Sequence, residues 1–384
     1  MPFSGNVYTP PLGAESAAPG QVLQSAVWNA IFTDMAAAFT QLATQANMTP
    51  TWSNILAPNG GFSVWQRGAG GAASFSVNAS TTQYTADRWY IITGANQASV
   101  VAATTGLTAA APPSHAAKIT RTNGQTGITG YTFGYPMTAD EVYRIRGQQV
   151  SFSGAAKAGA NWSPASGTFT ISLLVGTGTA QKAGAAGVNF SGLTTPLAVA
   201  VNLAAGATNT AISGTSSGTV AATSTQGEIQ VTWTPIGTAG TDDSLTLDQF
   251  CLVAGTIVQS FEDIPFDISL RECKRFYRKS FPYSVAPAQN AGLPGAVCAI
   301  SQAVASALNF YVQTEPVELV ATAAVTTYNP SGASAAWVNG TAAVSVTATL
   351  DTLSPSGKGF AIFTATSVTV NQALYIHFAA DAGL

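Results

Sequence analysis

The sequence predicts a mainly β fold: an antiparallel jelly-roll-like sandwich and a smaller C-terminal β domain, joined by a short helix and preceded by an extended arm and an N-terminal helix. Two observations predict it. Short segments in which apolar and polar residues alternate, as in strands with one buried face, recur between Gly, Asn and Pro along most of the 384 residues. Helical spacing of apolar residues is confined to residues 21–47 and 267–279.

The composition narrows the possible functions. Charged residues make up 8% of the chain, whereas ordinary soluble domains contain roughly 25%. A surface with so few charges favours self-association. The net charge of −3 gives no basic footprint, so nucleic acid is not an expected partner. No apolar run reaches the roughly 18 residues that cross a bilayer, so membrane insertion is not expected either.

Residues 1–53 are predicted to form an extended arm and a short helix that attach the chain to a partner or to further copies of itself. Residues 1–20 contain four prolines and three glycines, which favours an extended arm. Apolar residues then recur at steps of 3 and 4, as in a coiled-coil seam, at Trp28, Ile31, Met35, Ala38 and Leu42. This helix either packs on the next domain or serves oligomerisation and docking. The start lacks the basic and apolar regions of a signal peptide, so a protein made in a cytoplasm is expected.

Residues 54–260 are predicted to form the sandwich. Alternating segments, each a predicted strand, lie at 62–65, 88–92, 117–120, 150–153, 168–174, 228–233 and 244–252. The stretch 176–227 is rich in Gly, Thr, Ser and Ala and has few large side chains, so it is predicted to form long loops.

A charged helix within residues 261–280 is predicted to join the sandwich to the C-terminal β domain. Nine charged residues fall between Glu262 and Lys279. Asp267 or Ser269 is the expected N-cap, and Ser269 with Glu272 fits a capping box.

The same segment supplies four predicted junction residues. Phe276 and Tyr277 are expected to pack against strands, and Arg271, Arg275 or Arg278 is expected to pair with local or neighbouring-subunit carboxylates. The C-terminal β domain, residues 281–384, has predicted strands at 296–300, 307–312, 323–328, 343–347, 359–364 and 373–379.

Two motifs resemble tailed-bacteriophage fibre and appendage proteins. Asn59-Gly-Gly-Phe-Ser-Val-Trp-Gln-Arg-Gly68 with Tyr84-Thr-Ala-Asp-Arg-Trp89 is similar to the start of the carbohydrate-binding-module-like sandwich of that family. Phe261-Glu262 with Leu270-x-x-Cys273-x-Arg-Phe-Tyr277 is similar to the segment that closes it. The resemblance implies a virion structural protein, a fibre, spike or appendage subunit. It also implies a homotrimer docked to other virion proteins through residues 1–47, and a projecting sandwich that could bind host-surface polysaccharide for host attachment.

Four motif residues have two interpretations. Trp65 and Trp89 could stack on sugar rings while Arg67 and Asp87 bond to sugar hydroxyls. Alternatively, the two tryptophans are core anchors, and Asp87 forms a partly buried ion pair with Arg67 or Arg88 that fixes the first strands. The second interpretation is favoured.

No catalytic, cofactor or metal site is predicted, and the protein is expected not to be an enzyme. His115 falls in a loop and His377 in a strand, where a surface or interface imidazole is expected. The pair Asp242-Asp243 is predicted to be a solvated turn, with weak calcium binding as the lesser alternative. The three cysteines are expected to be reduced structural thiols. Two functions stay open beside a virion protein: a polysaccharide-degrading tail enzyme and a cell-surface adhesin.

Overall fold

The computed structural model describes residues 3–4, 7–8, 33, 35, 53–103, 116–301, 309–313, 318–339, 345–350, 356, 358–364 and 371–383. The chain divides into two compact units, Met1–Ser53 and Asn54–Leu384. In the first unit, β1 (Phe3–Ser4) pairs antiparallel with β2 (Val7–Tyr8). Thr33 and Met35, inside the predicted N-terminal helix, are helical, and the other residues of its predicted seam lie outside the described residues.

The second unit begins with a sandwich of two six-stranded antiparallel sheets, which confirms the predicted fold class. Its strands are β3 Ser74–Val77, β4 Thr82–Tyr84, β5 Tyr90–Ile92, β6 Ala98–Ala103, β7 Ala116–Arg121, β8 Tyr131–Met137, β9 Val150–Ala158, β10 Thr168–Thr177, β11 Ser191–Asn202, β12 Thr210–Thr215, β13 Gln226–Trp233 and β14 Ser244–Ala254. The first sheet has the order β11-β10-β13-β8-β5-β4. The second sheet has the order β12-β9-β14-β7-β6-β3.

The sandwich core follows from strand alternation. In β10, Phe169, Ile171 and Leu173 are buried in the core between the sheets, so the even-numbered residues face outward. An aromatic cluster fills the centre of this core, in which the rings of Phe62, Trp89, Phe133 and Phe250 lie within 5.0–6.1 Å of one another. Aromatic packing of this extent supplies much of the burial that holds two sheets together.

Two sequence-based predictions for the sandwich are wrong. Residues 176–227 are not only loops, because β11 and β12 lie within them. Residues 62–65 do not form a strand, because Phe62 has φ of 51°, a left-handed conformation that ends an extended segment. Its carbonyl instead accepts a 2.5 Å hydrogen bond from Trp65 Nε1.

The C-terminal part is an eight-stranded antiparallel sheet with its own core. Its strands are β15 Tyr277–Lys279, β16 Val297–Ile300, β17 Asn309–Gln313, β18 Ala324–Tyr328, β19 Ala336–Asn339, β20 Ser345–Leu350, β21 Gly359–Thr364 and β22 Ala373–Asp381. β22 pairs with β15, β16, β18 and β19, and is therefore the central strand. Trp337, Phe360 and Ile376 lie in the buried cluster that supports it.

Two short α-helices accompany the sheets within the described residues of the second unit. α1 (Ala139–Tyr143) begins with a capping box formed by Thr138 and Glu141. α2 (Phe266–Cys273) is the predicted charged helix, but the predicted cap is wrong: Pro265 is the N-cap and no side chain bonds there. Ser269 lies inside the helix and is buried. Its hydroxyl therefore cannot accept from the free amides of the first turn, as an N-cap does.

His377 and Asp243 are also buried, contrary to prediction. His377 stacks on Phe281 at 4.0 Å, its Nδ1 lies 2.9 Å from Ser280 Oγ and its Nε2 lies 2.9 Å from the Gly292 carbonyl. Because a carbonyl only accepts, Nε2 carries the proton, and burial lowers the pKa of this imidazole. Asp243 pairs with the buried Arg121 at 3.3 Å. His115 lies outside the described residues.

Candidate functional site

Three of the four predicted glycan-contact residues lie in the interior, and the fourth, Arg67, is partly buried. Trp65 and Trp89 have no exposed surface, and Asp87 is 1% exposed. A sugar in solution cannot reach their rings or the Asp87 carboxylate, so the role of core anchors agrees with their position and the role of glycan contacts does not. Trp89 Nε1 donates to the Asn59 carbonyl at 2.9 Å, which ties the second motif to the first.

Arg67 links the sandwich to the end of β22. Its Nη1 lies 3.2 Å from Asp87 Oδ1, and its Nη2 lies 2.7 Å from Asp381 Oδ1. The guanidinium also lies between two rings, 4.4 Å from the centre of Tyr84 and 4.3 Å from that of Tyr277. A cation held between two aromatic faces and two carboxylates is strongly fixed in place.

Arg88 repeats this arrangement one residue after Asp87. It binds both carboxylate oxygens of Glu141, at 2.9 and 3.2 Å. Its guanidinium lies 4.3 Å from the ring centre of Tyr135 and 3.7 Å from that of Phe276. We call Arg67, Arg88, Phe276 and Tyr277 the arginine junction.

The arginine junction explains why α2 stops at Cys273. Phe276 and Tyr277 are adjacent in sequence, yet each must cover a different arginine. Leaving the helix lets the chain place them separately. Both aromatic residues are buried, and their contacts here are with two arginines outside the strands. Arg271 and Arg275 lie near the surface instead, 4.0 and 3.6 Å from Glu272.

An open cleft lies on the outer face of the first sheet. Its volume is about 670 Å³. It is lined by Thr129, Gly130, Tyr131, Thr132, Ala165, Thr168, Phe169, Thr170, Ser172, Leu174, Ala185, Ala186, Leu193, Thr195, Gln230, Thr232, Trp233 and Thr234. The described lining thus combines hydroxyl-bearing side chains with apolar surface and carries no charged side chain.

Strand register builds the floor of this cleft. Thr170, Thr232 and Thr132 are directly opposite one another on β10, β13 and β8, and so form one row across three strands. Ser172 and Gln230 form the next row. All five are outward-facing positions, because the residues that alternate with them lie in the sandwich core.

A segment that we call the strap, residues 178–190, covers one end of this outer face. The Ala183 amide donates to Glu228 Oε2 at 2.7 Å, and Gln230 Nε2 donates to the Gly184 carbonyl at 2.6 Å. Ala183 also packs with Leu174 and Phe190 in a small buried cluster. The strap therefore forms one wall of the cleft through Ala185 and Ala186.

Glu228 lies beneath the strap with no exposed surface. Its Oε1 accepts hydrogen bonds from Tyr90 Oη at 2.5 Å and Gln230 Nε2 at 2.7 Å. Burial raises the pKa of this carboxyl from its usual 4.5 to about 7. The sequence interpretation missed it, although one signal was present: Glu228 is the only charged residue between Lys182 and Asp242.

Gly134 makes room for the Tyr90–Glu228 hydrogen bond. A Cβ there would lie 2.5 Å from Glu228 Oε1 and 2.8 Å from the Tyr90 ring. We expect Gly134→Ala to lower the free energy of unfolding by about 1–3 kcal/mol, the cost of overpacking a filled interior. Gly218→Ala is the matched control, because nothing lies within 4 Å of its Cβ position. Urea unfolding checks this, and equal stabilities of the two variants would contradict it.

No metal or disulfide site is found in the parts of the chain described above. No cluster of three or more His, Cys, Asp or Glu occurs there that could hold a metal ion. Cys251, Cys273 and Cys298 are free thiols, the first two buried. Among the described helices, none has the length and apolar character to span a membrane.

Comparison with known proteins gives loose structural overlaps. No protein-family model and no curated protein matches the sequence. A tailspike protein 4 domain of bacteriophage CBA120, described as enzymatically active, overlaps with a TM-score of 0.31 and 9% identity over 54% of this chain and 22% of its own. A carbohydrate-binding module of the β-sandwich superfamily gives 0.32 and 10% over 46% of this chain and 63% of its own.

A third overlap is with the CBM22-1 xylan-binding domain of Paenibacillus barcinonensis Xyn10C. It has a TM-score of 0.27 and 14% identity over 47% of this chain and 99% of that one. The chain spans less than two thirds of the first two structures, 22% and 63%. Overlaps this loose identify no family, so the function has to be inferred from the side chains of the chain itself.

Proposed function

We propose that the chain is a non-enzymatic structural subunit of a virion, a fibre, spike or appendage protein, whose cleft binds an uncharged glycan of the host surface. The observation that carries the binding function is the cleft floor, where the hydroxyls of Thr170, Thr232, Thr132 and Ser172 are arranged in register across three strands. Gln230 does not belong to this binding set, because it is 1% exposed and its amide is bonded to Gly184 and Glu228. The virion location, the homotrimer and docking through residues 1–47 are supported by the sequence motifs described above.

The chemistry of the floor suits a polyol. Hydroxyl side chains both donate and accept hydrogen bonds, as sugar hydroxyls do. Neighbouring strands are about 4.8 Å apart, so a row of hydroxyls offers regularly spaced partners to a chain lying across the sheet. A described lining without charged side chains favours a neutral ligand over an anionic one, because it provides no counter-charge for an acidic sugar.

Filling the cleft tests this function. We expect Thr232→Arg to abolish binding of the full-length protein to a glycan array or to host cells, because a long charged side chain would occupy the centre of the floor. Thr82→Arg is the matched control, since Thr82 is exposed on β4 of the same sheet and does not line the cleft. The proposal is overturned if the Thr232→Arg variant binds as tightly as the wild type. It is also overturned if the wild-type protein binds no glycan and no host cell.

Polysaccharide degradation is the main alternative. Glycoside hydrolysis requires two carboxyl groups that face the sugar, whereas the described lining of the cleft contains none and Glu228 is buried beneath the strap. Incubation with host capsule or lipopolysaccharide separates the two functions, because shortened chains would mean an enzyme. A cell-surface adhesin is the second alternative. Antibody labelling in electron micrographs distinguishes it, since an adhesin would be found on cells and a virion protein on particles.

A further inference from the structure

One side of the sandwich ends in two strands that have a neighbour on one side only. Within the described residues, β11 is the last strand of the first sheet and β12 is the last strand of the second. Gly214 of β12 packs directly on Val199 of β11, so the two edges lie together and form one continuous surface. We call this surface, β11 with β12, the edge wall.

The edge wall presents main-chain hydrogen-bonding groups to the outside. Along an antiparallel strand, successive residues direct their N–H and C=O alternately to one neighbour and to the other. The Leu203 amide, directly after β11, donates to the Gly167 carbonyl, directly before β10, at 3.1 Å and therefore faces β10. By this alternation, the main-chain groups of Ala198, Ala200 and Asn202 face away from β10. The Pro196 carbonyl lies at a shift in the register with β10 and accepts from the Ser217 amide of the same chain at 3.2 Å, so the open part of the β11 edge is residues 198–202.

The edge wall also lacks the charges that protect strand edges. Natural sheets use Lys and other charged residues at edges to prevent pairing with another chain. No charged residue occurs in the 45 residues from Ala183 to Gly227, which contain both strands. β11 alone runs for 12 residues. Pro196 interrupts its edge at one point.

On the opposite side of the sandwich, the end strand of the first sheet contacts another part of the chain. Tyr84 of β4, the other end of the first sheet, lies against Arg67, and Arg67 pairs with Asp381 of β22. The difference indicates that the edge wall is left for a partner from outside the chain.

We propose that the edge wall is the contact between copies of this chain, with β11 of one copy paired to β12 of the next. A second copy can bind here because two uncharged edges bring no like charges together. Each copy also supplies both strands of the contact, since its β11 can pair with one neighbour and its β12 with the other. In the homotrimer of the proposed function, on which this inference rests, three walls facing a common axis would make such head-to-tail contacts and close the ring.

Lysine substitutions in both strands of the full-length protein test the contact. Ala200 of β11 and Ser213 of β12 are exposed in the single chain, so Ala200→Lys and Ser213→Lys should leave its fold intact. We expect each to raise the concentration for half-assembly by about tenfold, because a charge added to an edge strand opposes its pairing with another chain. Ala95→Lys, at an exposed position outside the wall, is the control and should assemble as the wild type does.

Amide hydrogen exchange is the decisive measurement, because residues 1–47 could hold copies together without the wall. We expect the amides of Ala198, Ala200 and Asn202 to be protected in the wild-type assembly and to exchange rapidly in both lysine variants. The pairing is wrong if these amides exchange rapidly in a wild-type trimer, or if they stay protected in either lysine variant. Neither result would contradict the homotrimer itself. A wild-type protein that is monomeric at every concentration overturns the pairing and the homotrimer together, and leaves the glycan test unaffected.

Discussion

Replacing Arg88 by methionine is expected to lower the free energy of unfolding by about 3–5 kcal/mol, the usual cost of removing one partner of a buried ion pair. Methionine retains much of the apolar volume between Tyr135 and Phe276, so the loss reports mainly on the charge. Glu141 would keep its carboxylate, which is 13% exposed, without the cation that binds both its oxygens. Urea unfolding of the purified protein measures the difference.

Arg275→Met is the matched control for this experiment. Arg275 belongs to the same charged segment, but its side chain is 40% exposed and lies 3.6 Å from Glu272. Exposed ion pairs contribute about 0–1 kcal/mol, so the control should stay close to the wild type. Comparable losses in the two variants would show that Arg88 is no more important than a surface arginine.

A second large effect is expected from the pH dependence of stability. Because burial raises the pKa of Glu228 from 4.5 to about 7, the folded state binds more protons than the unfolded state between these values. The free energy of unfolding should therefore fall as the pH rises through this window, by a total on the order of 3 kcal/mol. The stabilisation is fully present below about pH 4.5 and is lost above about pH 7.

Glu228→Gln should remove this contribution. We expect the variant to lose the decline between about pH 4.5 and about pH 7, although its amide breaks some of the bonds to Tyr90, Gln230 and Ala183. His377 acts in the opposite direction, since its lowered pKa costs stability as the pH falls below 6.5. The informative quantity is thus the difference between wild type and variant at each pH. Glu318→Gln, at an exposed ion pair, is the control, and a difference independent of pH would contradict the prediction.

The sequence predicts strands well where large apolar side chains alternate. β10, β13 and β14 were expected because residues such as Phe169, Ile171 and Leu173 mark the buried face. β11 was missed although Leu197, Val199 and Val201 also alternate, because its remaining residues are the small ones common in loops. Its strand conformation depends on pairing with β10, which is a long-range interaction.

The cleft could not be predicted, because it depends on register between distant strands. Thr132, Thr170 and Thr232 are unremarkable in sequence, and only antiparallel pairing puts them in one row. The motif residues show the reverse case. The motif spacing identifies Trp65 and Asp87 in the sequence. It does not determine whether they face solvent or the core, because that depends on packing with residues distant in sequence.

The arginine junction has a consequence for the order of folding. Arg67 pairs with Asp381, which lies 314 residues later in the chain. Arg67 and Arg88 therefore stay without part of their counter-charges and covering rings until Phe276, Tyr277 and Asp381 have been synthesised. Closing contacts over so long a separation is slow, because much chain entropy is lost first. The sandwich and the C-terminal sheet should consequently fold and melt together, as one cooperative transition.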